Sequence, residues 1–208
     1  MQSLVVIVVV MVSVVRPSVE IIDRILAVVG GELIMLSDAT AAVRFGLVPA
    51  PVGEGDRIMS TLNALIDRQL QLFEVNRYMP PEPTMAAIDE RLAEVRARFT
   101  SQDAYEAALA ESGMSESQLR SRVRDNLRIT SYRAQRFAAA LQPTEDDLLR
   151  YYRLREAEFT KDGVVQPFEE VREQLRARVG SERSEALINE WLENLRRRAD
   201  VQILYRTQ

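Results

Sequence analysis

The chain of 208 residues contains no cysteine and no histidine. Without cysteine it can form neither a disulfide framework nor a catalytic thiolate. Without histidine it lacks the commonest general base and the commonest metal ligand at neutral pH. Lysine is also nearly absent, because Lys161 is the only lysine among 27 basic residues. Catalysis would therefore depend on carboxylates, tyrosine, serine or Lys161, and none of these stands in a recognisable arrangement.

The composition is that of a globular protein with a slightly acidic surface. Apolar residues make up 47% of the chain and charged residues 28%, which argues against a membrane-embedded body. The net charge of −4 gives no electrostatic support for nucleic-acid binding. Three adjacent acids, Glu145–Asp147, point about 100° apart on a helix and cannot converge on one ion. We expect no metal and no cofactor.

The N-terminal segment carries an apolar run, Leu4–Val15, interrupted only by Ser13. A run of this length is shorter than the ~20 residues that cross a bilayer and fits the apolar region of a signal peptide. The flanks fit less well, since Met1–Ser3 has no basic residue and no A-x-A cleavage site precedes Arg16. We predict that residues 1–18 are an export signal. An uncleaved anchor and a buried strand remain as alternatives.

The stretch that follows predicts a β-hairpin and a capped helix. Ile21–Val29 is rich in β-branched and apolar residues, as in strands. Gly30-Gly31 tolerates the positive φ angles of a tight turn, and Glu32–Leu36 would be the returning strand. Ser37 is predicted to be the N-cap of the first helix. An isolated hairpin is marginally stable, so this one must pack on the rest of the chain.

The remainder of the chain is predicted to be almost entirely helical. Apolar periodicity, caps and breakers predict helices over residues 37–45, 57–78, 84–99, 101–111, 115–141, 144–159, 168–179 and 181–199. Alternation of Val201, Ile203 and Tyr205 predicts a short strand that adds to the N-terminal hairpin. The predicted fold class is therefore mainly α with a small β element, in which a C-terminal helix and strand return to the hairpin.

Three segments resemble the SurA-type periplasmic chaperones and parvulin-type foldases. The opening D-R-I-L-A-V-V-G-G-E-L-I-M-L-S-D resembles the start of that family, and G-M-S-E-S-Q-L-R-S-R-V-R-D-N-L-R resembles its G-x-S-x-x-x-L-R-x-x-I-R-x-x-L segment. The stretch P-T-E-D-D-L-L-R-Y-Y resembles the lead-in to a parvulin prolyl-isomerase domain. The resemblance implies a periplasmic location and a single chaperone-core domain over residues 19–208.

The catalytic domain of such foldases is missing from this chain. It would follow Phe159, but only eight residues separate Phe159 from Phe168, where P-F-E-E-V-R-E-Q-L-R resembles the segment after the isomerase domain. An independent domain takes about 50 residues or more. The lack of histidine agrees, since parvulin sites typically use histidine. We therefore expect a chaperone framework without its catalytic insert, and no enzyme activity.

The resemblance implies a non-catalytic holdase for unfolded or unassembled envelope proteins, including outer-membrane proteins. Such clients would lie in a groove between helices and be shielded by transient apolar contacts. The candidate client-binding residues are aromatic side chains and one methionine: Phe45, Tyr78, Met79, Tyr132, Phe137, Tyr151, Tyr152 and Phe159. For each of them an ordinary core position remains the alternative.

Two other functions stay open at this point. Residues 4–15 could anchor an interaction subunit that binds one folded envelope partner. A residual prolyl isomerase would need a site built without histidine. A basic edge formed by Arg120, Arg122, Arg124 and Arg128 lacks interleaved aromatic stacking groups, so we expect no nucleic-acid partner.

Overall fold

The computed structural model describes residues 23–51, 53, 55–161 and 163–206. The predicted export signal, residues 1–18, lies outside them. The helices are α1 Leu36–Arg44, α2 Arg57–Tyr78, α3 Met85–Arg96, α4 Gln102–Glu111, α5 Glu116–Arg136, α6 Glu145–Leu154 and α7 Phe168–Arg198. The strands are β1 Ile25–Val29, β2 Glu32–Met35, β3 Thr160–Lys161, β4 Val164–Val165 and β5 Val201–Ile203. The predicted fold class is confirmed.

The small sheet joins the two ends of the described chain. Its strand order is β2-β1-β5, and β1 is antiparallel to both neighbours. Gly30 and Gly31 form the turn with φ angles of +56° and +89°, which other residues rarely adopt. On the other edge of β1, Ala27 pairs with Ile203 and Val29 with Val201. The predicted return of the C-terminal strand to the hairpin is thus confirmed.

The predicted cap of α1 is wrong by two residues. The helix begins at Leu36 with Met35 as N-cap, and the Met35 N–H donates to Asp38 Oδ2 at 2.9 Å. The Ser37 N–H and hydroxyl both donate to the Asp23 carboxylate, the N–H at 3.1 Å. The Ser37 hydroxyl is therefore bonded to Asp23, which precedes β1, and does not cap the helix. The Asp38 side chain instead accepts the hydrogen bond at the first turn of α1. Gly46 follows α1 at φ +63°, as predicted for a C′ residue.

The other predicted caps are confirmed, because they depend only on residues three apart. Thr84 caps α3 and accepts a hydrogen bond from the Ala87 N–H at 3.2 Å. At α5 the Ser115 N–H donates to Gln118 Oε1 at 2.8 Å, which is one half of the predicted capping box. Thr144 caps α6 in the same way, with Asp147 as its partner.

Four predicted helix boundaries are wrong. Helix α3 ends at Arg96 instead of residue 99. Helix α5 ends at Arg136 and is followed by a 3₁₀ turn over Ala138–Leu141. Helix α6 ends at Leu154, and a second 3₁₀ turn covers Glu156–Phe159. The predicted break at Gly180 does not occur, because Gly180 is buried within α7, which runs for 31 residues. One glycine inside a helix costs about 1 kcal/mol relative to alanine, which tertiary packing readily overrides.

The buried side chains form two separate clusters. The main core takes its side chains from the sheet, from α1 to α5 and from the C-terminal part of α7, where Trp191 and Leu195 are buried. The small core consists of Leu148, Phe159, Val171, Leu175 and Val179. Helix α7 therefore contributes to both cores. In the described part of the chain, no helix has both the length and the hydropathy to span a membrane.

Candidate client-binding site

The structure divides the eight candidate residues among three aromatic groups. Phe45 packs with Phe99 and Tyr105 in the main core. The second group surrounds the small core and contains Tyr151, Tyr152 and Phe159. The third group lies where α2, α5 and α7 meet, and contains Tyr78, Met79, Tyr132 and Phe137. Only this third group brings several candidates to an accessible surface.

Phe45 is fully buried, so a client could not reach its side chain in this conformation. Its ring centroid lies 5.7 Å from that of Phe99 and 6.2 Å from that of Tyr105. The Tyr105 hydroxyl donates to the Glu116 carboxylate. Burial, reinforced by this carboxylate, raises the pKa of Tyr105 to about 12. The group therefore packs α1 against the segments around α3 and α4, which is a structural role.

The candidates of the small core are likewise engaged within the protein. Phe159 is buried, and its ring centroid lies 5.6 Å from that of Tyr152. The Tyr152 hydroxyl donates to the Gln166 carbonyl at 2.6 Å. The Tyr151 hydroxyl donates to Glu182 on α7 at 2.6 Å. These side chains join α6 to the segment between β4 and α7 and to α7 itself, so their hydroxyl groups already have partners within the protein.

Three side chains of the third group form a continuous aromatic row with Trp191 on α7: Tyr78, Tyr132, Trp191 and Phe137. Ring centroids are 5.7 Å apart for Tyr78–Tyr132, 5.8 Å for Tyr132–Trp191 and 5.7 Å for Phe137–Trp191. Such offset or tilted contacts are favourable beyond the area they bury. Tyr78 is 57% exposed at one end of the row, whereas Tyr132 and Trp191 are buried. Burial also raises the pKa of Tyr132.

Met79 extends the exposed end of the row. It follows α2 in a left-handed conformation, with φ at +44°, and its N–H donates to the Val75 carbonyl at 2.8 Å. A positive φ is uncommon for a residue other than glycine. Its side chain is 76% exposed. This conformation therefore ends α2 with an unbranched apolar side chain in solvent beside Tyr78.

A cleft of about 410 Å³ lies along the other end of the row, between α7 and the C-terminus of α5. Trp191 and Phe137 form its aromatic wall, and Leu187 on α7 lines it with 42% of its surface exposed. The Arg136 guanidinium lies over the Trp191 ring, 5.5 Å from its centroid. Glu190, Asn194 and Arg198 complete the rim.

Trp191 lines this cleft, and its indole nitrogen is a buried polar atom. The side chain is only 5% exposed, and among the described residues its Nε1–H has no acceptor. A buried donor without a partner is costly, which favours an acceptor that enters from outside. Sequence reasoning placed Trp191 in the core and did not select Leu187. Leu187 and Trp191 are four residues apart on α7, and Asn194 and Arg198 continue the same helix face. This spacing was the sequence signal that could have indicated the cleft.

The basic edge of α5 is occupied by ion pairs. Arg120 contacts Asp89 at 2.6 Å, and Arg122 contacts Asp38 at 2.6 Å. Arg124 contacts Asp125 at 3.2 Å, and Arg128 contacts Glu82 at 3.0 Å. Except for the Arg124–Asp125 contact, which lies within α5, these ion pairs link α5 to α1, to α3 and to the segment before α3. The guanidiniums that a phosphate backbone would need are thus already paired.

The described residues contain no group of three or more acidic, histidine or cysteine side chains that could hold a metal ion. No protein-family model matches the chain, and no curated protein matches it significantly. The likeness to SurA-type chaperones therefore depends on the sequence motifs. A proposal about function must therefore be based on the geometry of the candidate site.

Proposed function

We propose that the protein is a non-catalytic chaperone of the cell envelope, which holds unfolded or unassembled envelope proteins at the aromatic row. The observation that carries the proposal is a cleft lined by Phe137, Leu187 and Trp191, whose buried indole N–H has no partner among the described residues. This arrangement offers a client both an apolar surface and a hydrogen-bond donor. Every segment of an unfolded chain has carbonyl groups that can accept such a bond.

The client would bind as an extended segment. One of its carbonyl oxygens accepts the Trp191 N–H, while an apolar side chain packs against Leu187 and Phe137. The Arg136 guanidinium over the indole ring leaves the rim polar, so the contact stays limited in area. Exposed Tyr78 and Met79 extend the surface for longer clients. Binding of this kind is weak and reversible, and it shields segments that otherwise aggregate.

The cellular location in this proposal depends on the sequence. The predicted export signal over residues 1–18 and the SurA-like motifs both favour the periplasm. Outer-membrane proteins cross that compartment unfolded, so they are the client class we propose. No nucleotide is required, because holding a client needs only reversible contact.

The first experiment measures aggregation of an unfolded outer-membrane protein by light scattering, with the full chain added at increasing molar ratio. We expect dose-dependent suppression without ATP. The variant Trp191→Phe retains an aromatic ring but lacks the N–H, and the loss of one hydrogen bond weakens client binding up to about tenfold. The variant Leu187→Gln removes apolar surface from the cleft and should also weaken suppression.

A matched control uses a second exposed leucine outside the row. Leu154 lies at the end of α6 and is exposed, so Leu154→Gln makes the same chemical change away from the cleft. It should suppress aggregation as well as the unchanged protein does. Equal loss in Leu154→Gln and Leu187→Gln would contradict the aromatic row as the site. No suppression by a protein that circular dichroism shows to be folded would contradict the holdase itself.

A further inference from the structure

We propose that the protein has a second ligand site, which binds an extended peptide segment carrying an acidic residue between apolar ones. The site is a cleft of about 740 Å³ between α2, α3, α5 and the loop after α1, called here the basic cleft. It shares no lining residue with the cleft beside Trp191. The proposal therefore stands independently of the holdase function.

The lining of the basic cleft carries an excess of positive charge in a protein whose net charge is −4. Four guanidiniums and one carboxylate line it: Arg68, Arg91, Arg98, Arg133 and Glu94. Glu94 is paired with Arg91, so its charge is compensated. The Arg68 guanidinium lies 3.9 Å from the Asp125 carboxylate, and its Nε donates to Asn126 Oδ1 at 2.6 Å. Burial lowers the pKa of Arg68.

Arg98 and Arg133 differ from the other two arginines. Within the described ranges, neither has a carboxylate at ion-pair distance. Gly46 leaves room for Arg98, because a Cβ at that position would collide with the Arg98 guanidinium. Two uncompensated guanidiniums at one cleft favour a carboxylate ligand, because charge-assisted hydrogen bonds are the strong ones.

Gln71 adds a second polar group to the basic cleft, besides the arginines. It is only 7% exposed and lines the same cleft. Its Nε2 donates to the Asp67 carbonyl at 3.0 Å, but its Oε1 has no donor among the described residues. A buried acceptor without a partner favours a ligand with an N–H or O–H group.

The wall of the basic cleft is apolar. Val95 from α3 and Val123 and Ile129 from α5 are all buried, and they line the cleft together with the arginines. A ligand that fills this space must therefore place apolar groups beside its anion. Free phosphate has no such group and does not match the wall.

A peptide satisfies all three requirements together. An acidic side chain reaches Arg98 and Arg133, a backbone N–H donates to Gln71 Oε1, and flanking apolar side chains cover the valines. A fatty acid also has a carboxylate and an apolar body, but its ionised form has no donor for Gln71. The unpartnered carbonyl of Gln71 therefore favours the peptide over a lipid.

The test is calorimetric titration of the full chain with acetyl-Leu-Glu-Leu-amide, its Gln counterpart and laurate. We expect the Glu peptide to bind about tenfold or more tightly than the Gln peptide, since the charge-assisted contact is lost in the latter. Arg98→Gln and Arg133→Gln should each weaken binding of the Glu peptide to a similar degree. Arg150→Gln is the matched control, because Arg150 is exposed on α6 and removes the same charge far from the cleft.

The variant Gln71→Leu distinguishes an effect on ligand binding from an effect on protein stability. It removes the acceptor that has no partner among the described residues, together with the Nε2 donor. The partner of that donor, the Asp67 carbonyl, is the i−4 carbonyl within α2, so the thermal midpoint should change little while binding of the Glu peptide weakens. Equal affinity for the Glu and Gln peptides would overturn the proposal, as would equal weakening by Arg150→Gln and Arg98→Gln. The peptide assignment would be overturned if laurate displaced the Glu peptide and bound the Gln71→Leu variant with unchanged affinity. Arg98→Gln should still suppress aggregation, so failure here is distinguishable from failure of the holdase.

Discussion

The main core and the small core are held together in different ways, although α7 contributes to both. The main core combines three strands, five helices and the end of α7, and many of its side chains are fully buried. The small core has five buried side chains, covered by Tyr151, Tyr152 and Phe168. Burial of apolar surface is the dominant stabilising contribution to folding, so the main core should be far more stable.

Ion pairs surround the small core and join its elements to α7. Asp147 contacts Arg183 at 2.6 Å, and Glu145 contacts Arg176 at 2.8 Å, both from α6 to α7. Arg155, just beyond α6, contacts Glu182 at 3.2 Å. Exposed ion pairs contribute little to stability, because water already solvates their charges well. We therefore expect the small core to open at a lower free energy than the main core.

The largest expected effects come from truncating one buried leucine in each core. Leu62 on α2 and Leu148 on α6 are both fully buried. Either change to alanine leaves a cavity that costs about 2–5 kcal/mol. We expect Leu62→Ala to lower the free energy of global unfolding by this amount. Leu148→Ala should instead open the small core while the main core stays folded, as measured by amide hydrogen exchange.

The hydrogen-exchange pattern makes this comparison decisive. In Leu148→Ala, amides of α6 should lose protection and amides of β1 and α2 should keep it. If both variants lowered protection uniformly across the described chain, the two cores would form one cooperative unit. The expectation that the small core is less stable than the main core would then be wrong.

A smaller effect is expected from breaking α7 between the cores. Ala186 is exposed and lies between Val179 of the small core and Trp191 of the main core. Proline inside a helix costs about 3 kcal/mol, because it removes a backbone hydrogen bond and clashes with the preceding turn. Ala186→Pro should uncouple the small core and enlarge the radius of gyration in small-angle scattering.

The control for this helix break is Ala186→Gly, which costs about 1 kcal/mol and keeps the hydrogen bond. It should leave the radius of gyration unchanged. An unchanged radius in a folded Ala186→Pro variant would show that contacts other than α7 join the two cores.

The smallest effect concerns acid. Hydrogen bonds from Arg183 and Thr144 hold the pKa of Asp147 well below its ordinary value, and a hydrogen bond from Tyr151 lowers the pKa of Glu182. A carboxyl group with a lowered folded-state pKa stabilises the protein above its unfolded pKa, and this contribution is lost as the pH falls through the folded-state pKa. Acid below about pH 4 should therefore increase opening of the small core.

Amide exchange of α6 as a function of pH, corrected for intrinsic rates, checks this expectation. In Asp147→Asn the acid-dependent part of the opening should decrease, because the variant cannot ionise. Main-core amides serve as the internal reference. Earlier acid opening in the main core would reverse the predicted order.

Local signals were enough to predict most elements of the fold. The caps at Thr84, Ser115 and Thr144 were found correctly, because a cap joins a side chain to a backbone N–H only three residues away. The strand at Val201–Ile203 was found from its alternation and from the need of the hairpin for a partner. Ser37 was misassigned because Asp23, fourteen residues earlier, engages its hydroxyl.

The candidate site was only partly predictable. Periodicity indicates which side chains are apolar, but it does not tell whether an aromatic ring faces a core or a cleft. Phe45 and Phe159 proved to be buried, whereas Tyr78 and Met79 are exposed. The Trp191 and Gln71 atoms that have no partner among the described residues have no sequence signature, since a missing partner is a property of the surroundings.

The sequence by itself determined the mainly helical class, the glycine turn and the closing strand, because these follow from local propensity and short-range hydrogen bonds. Only the tertiary structure decided that α7 continues through Gly180, and that the buried side chains separate into two cores. It also decided that Tyr78, Tyr132, Phe137 and Trp191 meet in one row. Such contacts join residues far apart in the chain, and their packing outweighs the preference of any single residue.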